Sequence, residues 1–208
     1  METGTKNKRQ LQTEQTKISL FNAAESLLSE KDFSQITIRD IVSRANVSIG
    51  TFYNYYTTKM EVFYETYQVA DRYFDEVVSH QLPQGSPLER ILCFFDHYAR
   101  YSSEMTDMKM TRLLYNPDNP YFNRPAQGGM VGLLMDLIQE CLDAGELVSR
   151  GDSVEDMASY LMISIRGLVY HWCTLNGSYD LRARTQVFTQ RLLGAYLPGG
   201  AGDAPTPE

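Results

Sequence analysis

An all-α fold is what these 208 residues predict, on three observations: apolar residues recur at spacings of three and four, helix-capping signatures precede the apolar runs, and Gly and Pro punctuate the spaces between runs. Only helical periods appear, and 43% apolar content is ample for a core without disulfide staples.

The opening residues are polar, and 1–11 read as a flexible arm whose Lys6, Lys8 and Arg9 are more readily a solvated tail than a reach toward phosphates. An amphipathic helix follows through Ile18, Phe21, Ala24, Leu27 and Leu28. Next, Thr37 is placed to N-cap a short helix with Asp40 three residues on, and Ile38, Ile41 and Val42 form its buried face. A turn falls at Ala45-Asn46-Val47, where Asn tolerates a left-handed backbone and Val47 supplies an apolar plug. Ser48 caps another helix that exposes Ile49, Gly50, Thr51 and Tyr53 while Phe52 and Tyr56 face inward. Thr58-Lys59-Met60-Glu61 then forms a capping box whose free N–H groups, with the Lys59 ammonium, suit a phosphate. Two short helices across a tight turn have the size of a helix-turn-helix for a DNA major groove, although any helical hairpin shares the loose pattern.

The body follows. A helix over about residues 59–79 buries Val62, Phe63, Tyr67, Ala70 and Phe74 and links reader to body as the transmission element. Ser86-Pro87-Leu88-Glu89 combines a capping box with proline at the first helical position, opening a helix with Ile91, Cys93, Phe94, Phe95, Tyr98 and Tyr101. A shorter helix is expected over 104–115, and Pro117, Pro120 and Pro125 break the chain. The next helix carries Met130, Leu134, Leu137, Ile138 and Cys141 and ends at Gly145. Asp152-Ser153-Val154-Glu155 caps a helix whose Val154, Ala158, Leu161, Ile165, Leu168 and Trp172, extended by Met157, Met162, Ile163 and Val169, predict burial on several sides. Asn176-Gly177 turns the chain into a last helix over 181–197, before a polar tail at 199–208 expected to be disordered.

Charge and composition bound the function. Residues 1–60 hold eight Lys/Arg against six Asp/Glu, and the remainder eleven against twenty, so a net charge of -7 conceals a basic helix-turn-helix end. Cys93, Cys141 and Cys173 are odd in number and far apart, which fits buried reduced thiols rather than a disulfide framework or a zinc site. His80, His97 and His171 offer no metal-ligand cluster, and no cofactor or metal is expected. No apolar run approaches the roughly 20 residues of a membrane span, and the start lacks a signal-peptide core, so a cytoplasmic location is expected. Catalysis finds no phosphate loop, nucleophile elbow or His-Glu zinc motif.

The amphipathic first helix, Asp32-Phe33, Thr37-Ile-Arg-Asp-Ile41, Val47-Ser-Ile-Gly-Thr-Phe-Tyr-Asn-Tyr-Tyr56 and Lys59-Met-Glu61 together resemble, in order and spacing, the DNA-binding domain of the TetR family of one-component regulators. Two positions depart from that family: Asn46 stands where Gly is usual, and Tyr56 where Phe is usual, which leaves a hydroxyl needing a partner. The resemblance implies a three-helix DNA-binding domain at 1–58 and a helical ligand-binding and dimerisation domain at 59–198. It places Arg39, Ile49, Gly50, Tyr53 and Tyr55 at bases or groove, and Thr37, Thr51, Tyr53, Tyr55 and Lys59 on phosphates, with Ser48 at the reading helix's start. It further implies a homodimer through the last two helices, which sets two recognition helices about 34–36 Å apart on a palindromic double-stranded operator.

Ligand sensing is expected in the second domain, which is dense in Tyr, Phe and Met, Tyr121 and Phe122 included. Aromatic stripes are more often plain core than pocket, yet buried tyrosine hydroxyls and adaptable methionines favour a cavity for a small, largely apolar or aromatic effector. The candidate lining is Phe94, Tyr98, Tyr101, Met105, Tyr115, Met130, Tyr160, Arg166 and Tyr170. Arg166 sits in an apolar helix and needs a partner: a carboxylate or the dimer rim first, an anionic ligand headgroup second. Gly167 beside it is expected to permit close helix packing. The expected function is a repressor released from its operator by that effector. The rivals are a regulator that senses oxidation through a cysteine, or a helical ligand carrier or enzyme.

Overall fold

A computed structural model describes residues 8–116, 119–120 and 129–199, all helix and connecting turns among the described residues. Lys6, Pro117, Tyr121, Phe122, Pro125 and the tail from residue 200 lie outside them. The chain forms two compact units, one built from the chain up to Gln68 with the short stretch around Asn119, the other from Val69 to Tyr115 and from Gly129 onward.

In the first unit, α1 (Lys8–Glu30) buries Leu20, Phe21, Ala24, Leu27 and Leu28 against α2 (Ile38–Arg44) and α4 (Lys59–Phe63), and α2 packs on α3 (Ile49–Tyr53). α1 already begins at Lys8, so Lys8 and Arg9, expected in the arm at 1–11, are helical. Phe52 and Phe63 are fully buried, each ring contributing about 2–3 kcal/mol by area. Thr37 and Asp40 form the full reciprocal capping box, and Asn46 turns the chain at φ 53° with Val47 N–H returning to Val42 O at 3.0 Å. Asn119, a buried residue far along the chain, donates from Nδ2 to the Tyr67 phenol at 2.6 Å.

The expected long helix over 59–79 is interrupted. α4 ends at Phe63, α5 runs Glu65–Tyr73, a π-helical turn occupies Phe74–Val78, and α6 (Ser79–Gln81) closes the run. The division between the two units falls inside α5, after Gln68.

The second unit has one apolar core. α7 (Pro87–Arg100) packs on α9 (Gly129–Asp143) and α11 (Leu181–Leu193), while α10 (Val154–Thr174) packs on α9, α11 and α8 (Met108–Leu114). Phe74, Ile91, Phe94, Phe95, Leu134, Leu137, Ile138 and Ile165 lie at its centre. Ser86 and Glu89 form the predicted box with Pro87 at the first turn. Two helix starts differ from the sequence reading. Glu104 belongs to a π-helical turn (Tyr101–Met105) that ends the α7 helix, so α8 starts at Met108 with Asp107 as its N-cap, accepting from Lys109 N–H at 2.6 Å. α10 is capped by Ser153 and Asp156, because Asp152 is engaged by the Tyr196 phenol at 2.8 Å. Gly145 ends α9 at φ 70°, which lets Glu146 N–H reach Cys141 O at 2.9 Å.

Candidate functional site

The first unit presents α2 and α3 as an open surface. Ser48 Oγ accepts Thr51 N–H at 3.0 Å and lies 2.8 Å from Thr51 Oγ1, fixing the start of α3. From that start Ile49 stands 45% exposed and Tyr53 57% exposed, although both are large and apolar-bodied. Phe52 between them is fully buried, so their exposure is the register of a seated helix and not fraying.

Gly50 is more telling. A Cβ built on it meets only Ser48 Oγ at 3.7 Å, an ordinary contact, and its backbone is helical, so nothing inside the protein requires glycine there. Glycine in a helix costs about 1 kcal/mol relative to alanine. Close approach of something outside the chain is a physical reason to keep it.

Charge pairing singles out Arg39. Lys17 pairs with Glu65 at 3.0 Å, Lys31 with Asp40 at 2.7 Å, and Arg44 with Glu30 at 2.8 Å while also reaching Ser26 Oγ at 2.8 Å. Lys31's hydrogen bond, with the Thr37 N–H, drops the Asp40 carboxyl to about 2, so the capping box stays ionised. Arg39 is exposed on α2 with no hydrogen bond or ion pair among the described residues. Thr37 is exposed at the α2 start, and Tyr55 is half-buried, its ring tilted at 6.4 Å from Tyr56.

Lys59 is engaged within the protein. Its ammonium donates to Phe33 O at 2.7 Å and Ile36 O at 2.8 Å and lies 4.1 Å from the Phe33 ring centroid, so it closes the short 3-10 turn Phe33–Gln35. Two of its three donors are spent on the protein's own carbonyls. Tyr56 has the partner its hydroxyl requires: it donates to Glu65 Oε1 at 2.8 Å. Glu65 was not foreseen as part of the reader, although the orphan hydroxyl of Tyr56 signalled that an acceptor must lie nearby.

In the second unit the predicted lining residues separate into three groups. Phe94 is core, wedged against Phe74 at 4.9 Å and Phe95 at 5.0 Å between ring centroids. Tyr98 and Met130 are buried, and Tyr101 and Tyr115 half-buried. The Tyr98 and Tyr115 hydroxyls pair at 2.9 Å, Tyr101 stacks near Tyr73 at 5.6 Å, and Tyr73's hydroxyl lies 2.8 Å from His97 Nδ1. Met130 is held at the α9 start by Asp71, whose carboxylate accepts its N–H at 3.1 Å. Met105, at the end of the π-helical turn, is 48% exposed, and Tyr160 and Tyr170 are exposed because they lie on the outward face of α10, which carries Tyr160 at 51%, Ile163 at 62% and Tyr170 at 56%. The expected burial on several sides of α10 holds within the protomer at Met157, Ala158, Leu161, Met162, Ile165, Val169 and Trp172, and not at Ile163. Arg166 is half-buried on the same helix.

Tyr115 and Tyr170 do come together, with Arg112, Cys173 and Thr174, around an open cleft of about 470 Å³. Arg112 donates from Nε and Nη2 to Cys173 O at 3.2 and 2.7 Å and contacts Asn176 Oδ1, closing the α10 C-terminus. Among the described residues no group of three His, Cys, Asp or Glu is placed to hold a metal, and no helix is long and apolar enough to cross a membrane.

All three thiols are held protonated. Burial pushes Cys141 up to about 12, with Glu146 and Glu140 adding to it, and burial likewise raises Cys93 and Cys173. Thiols that react with oxidants have lowered pKa values, so this environment disfavours the redox rival.

Residues 20–66 match the family model for bacterial regulatory proteins of the tetR family. No curated protein is similar enough to count as a match. Among solved structures, FadR of Thermus thermophilus, a TetR-family transcriptional repressor in complex with lauroyl-CoA, is 25% identical with a TM-score of 0.71, over 92% of this chain and 99% of that one. FadR of Bacillus subtilis in complex with stearoyl-CoA is 18% identical with a TM-score of 0.66, over 85% of this chain and 97% of that one. RolR in complex with resorcinol is 17% identical with a TM-score of 0.66, over 89% of each chain.

Proposed function

We propose, from the premise that this chain belongs to the TetR family of transcriptional regulators, that it represses transcription as a homodimer on a palindromic operator and leaves it when a small, largely apolar or aromatic effector binds the second unit. The observation that carries the DNA-reading half is the open α2–α3 face. Arg39 is an unpaired fork for a guanine edge, Ile49 an exposed methyl-bearing group for a thymine, and Gly50 a bare backbone with room for close approach. Thr37, Ser48, Thr51, Tyr53 and Tyr55 supply hydroxyls for the phosphate backbone. Lys59 contributes through its remaining N–H, beside the α4 start capped by Thr58.

The homodimer reading rests on α10. Tyr160, Ile163 and Tyr170 make an apolar stripe, and Gly167 on it has nothing within 4 Å of where a Cβ would stand. A second copy of α10 is the surface that would cover the stripe and use the gap, and α11 extends it with exposed Val187.

The effector reading rests on polar atoms set within the second unit, where the Tyr73 hydroxyl meets His97 Nδ1 and the Tyr98 hydroxyl meets that of Tyr115. FadR and RolR holding acyl-CoA or resorcinol support an effector of that character. Release then follows as a population shift, with a coupling on the order of 1–3 kcal/mol.

Binding of the purified protein to its own upstream intergenic DNA, against an unrelated duplex at one stated near-physiological salt concentration, tests the reading. A specificity ratio of about a thousandfold or more is expected. Equal, weak binding to both duplexes would return the carrier and enzyme alternatives.

A further inference from the structure

Glu65 is the first residue of α5, and a single oxygen of its carboxylate serves two partners. Oε1 accepts the Tyr56 phenol at 2.8 Å and the Lys17 ammonium at 3.0 Å, while that ammonium stands 5.6 Å from the centroid of the Tyr56 ring. Lys17 belongs to α1 and Tyr56 to the turn that leaves α3, so three elements of the first unit converge on one group. Tyr56 in turn lies 5.6 Å from the Phe52 ring, and Phe52 is the fully buried residue that seats α3.

Stability alone is a poor reason for this arrangement. A hydroxyl paired with a carboxylate contributes about 1.5–3 kcal/mol net, and replacing both partners by apolar groups of the same shape is nearly neutral. What the polar pair adds is direction: a phenol that must reach one oxygen fixes the end of α3 relative to α5.

The backbone passes from α4 to α5 at Tyr64. Helix α4 stops at Phe63, Tyr64 N–H bonds Met60 O at 3.3 Å, and Tyr67 N–H takes Tyr64 O at 3.1 Å, so the helix is interrupted one residue before Glu65. The carboxylate reaches past the break and ties α5 directly to the back of the reading helix.

We infer that Glu65 is a positioning residue for DNA reading. It holds the first turn of α5 to the end of α3 through Tyr56, with Lys17 fixing its charge, and thereby sets the pose in which Ile49, Gly50 and Tyr53 meet the groove. The inference rests on the DNA-binding reading proposed above.

The test begins by selecting a tight duplex from a random-sequence pool with the full-length native protein. Failure to enrich any duplex would sink the DNA-binding reading itself. With the selected duplex in hand, native protein, Tyr56→Phe, Glu65→Leu, Glu65→Gln and the double variant Tyr56→Phe/Glu65→Leu are compared on it and on a scrambled duplex. The positioning role predicts that Tyr56→Phe and Glu65→Leu each lower the specific-to-scrambled affinity ratio by roughly fivefold to tenfold, that the double variant is no worse than the poorer single, and that Glu65→Gln, which keeps an acceptor for the phenol, recovers most of the loss. The salt slope stays native, since no phosphate contact is removed. A merely structural staple would lower binding to both duplexes alike and leave their ratio unchanged. That result, or losses that add in the double variant, would overturn the inference. Tyr56→Phe removes one hydroxyl only, so it decides the matter even if Glu65→Leu fails to fold.

Discussion

The hydroxyl of Tyr73 and Nδ1 of His97 lie 2.8 Å apart in the interior of the second unit, joining α5 to α7. Burial holds the His97 pKa below 6.5, Arg100 and Arg182 push it the same way, and Asp96 opposes them. The folded protein therefore prefers the neutral ring, and in either tautomer the pair is satisfied by one proton.

That preference makes stability depend on pH in a defined direction. Below the unfolded value of 6.5 the unfolded chain takes up a proton that the folded ring resists, so the contribution is complete above 6.5 and is lost as pH falls through the lowered folded value. Thermal midpoints followed from about pH 7.5 to about 5.5 are expected to fall for the native protein and to fall less for His97→Gln. Parallel curves would show that His97 does not carry the dependence.

Gly50→Ala separates folding from reading. The new methyl meets only Ser48 Oγ at 3.7 Å, and alanine is the better helix former, so the thermal midpoint should hold or rise by the equivalent of about 1 kcal/mol. If the glycine serves close approach to DNA, the same variant loses specific duplex affinity by about tenfold or more, in line with the 1–3 kcal/mol of a good base contact. Unchanged affinity on the native operator would remove Gly50 from the interface.

These two cases also mark what the sequence could and could not convey. Capping boxes at Thr37 and Ser86 and the left-handed Asn46 were legible because each is decided within four or five residues. Lys59 shows the limit of a local rule: its position at the α4 start suits a phosphate, while its ammonium also serves the Phe33 and Ile36 carbonyls in a turn far upstream. Arg182 gripping Asp96 at 3.0 and 2.6 Å, and Asn119 reaching Tyr67, are likewise tertiary pairings that no periodicity encodes. Apolar residues on several sides of α10 do not say which face a single protomer leaves open, so periodicity alone does not separate Tyr160 and Tyr170 from the core.

Thiol chemistry offers a direct check on the redox alternative. With Cys141 pushed up to about 12 and both other thiols raised by burial, the native protein at neutral pH should react with a thiol reagent orders of magnitude more slowly than free cysteine, and denaturant should release all three groups. Specific DNA binding should survive mild peroxide. A thiol that reacts at the rate of free cysteine, with loss of binding that Cys→Ser prevents, would restore the oxidation-sensing reading.

Ile163→Glu tests the dimer at the residue where the protomer has least need of its side chain. Ile163 is 62% exposed, so placing a carboxylate there costs the monomer's core nothing, and glutamate is a good helix former. In a two-fold interface the substitution appears twice, and because Gly167 lies one turn away with open space beside it, two carboxylates would be brought close together in a desolvated seam. Sedimentation at micromolar concentration is expected to show native dimer and variant monomer with the same helical content. Operator affinity should then fall at least a hundredfold, since one reading helix remains on a site built for two. A variant that stays dimeric would move the interface off this face of α10 and onto another surface of the second unit.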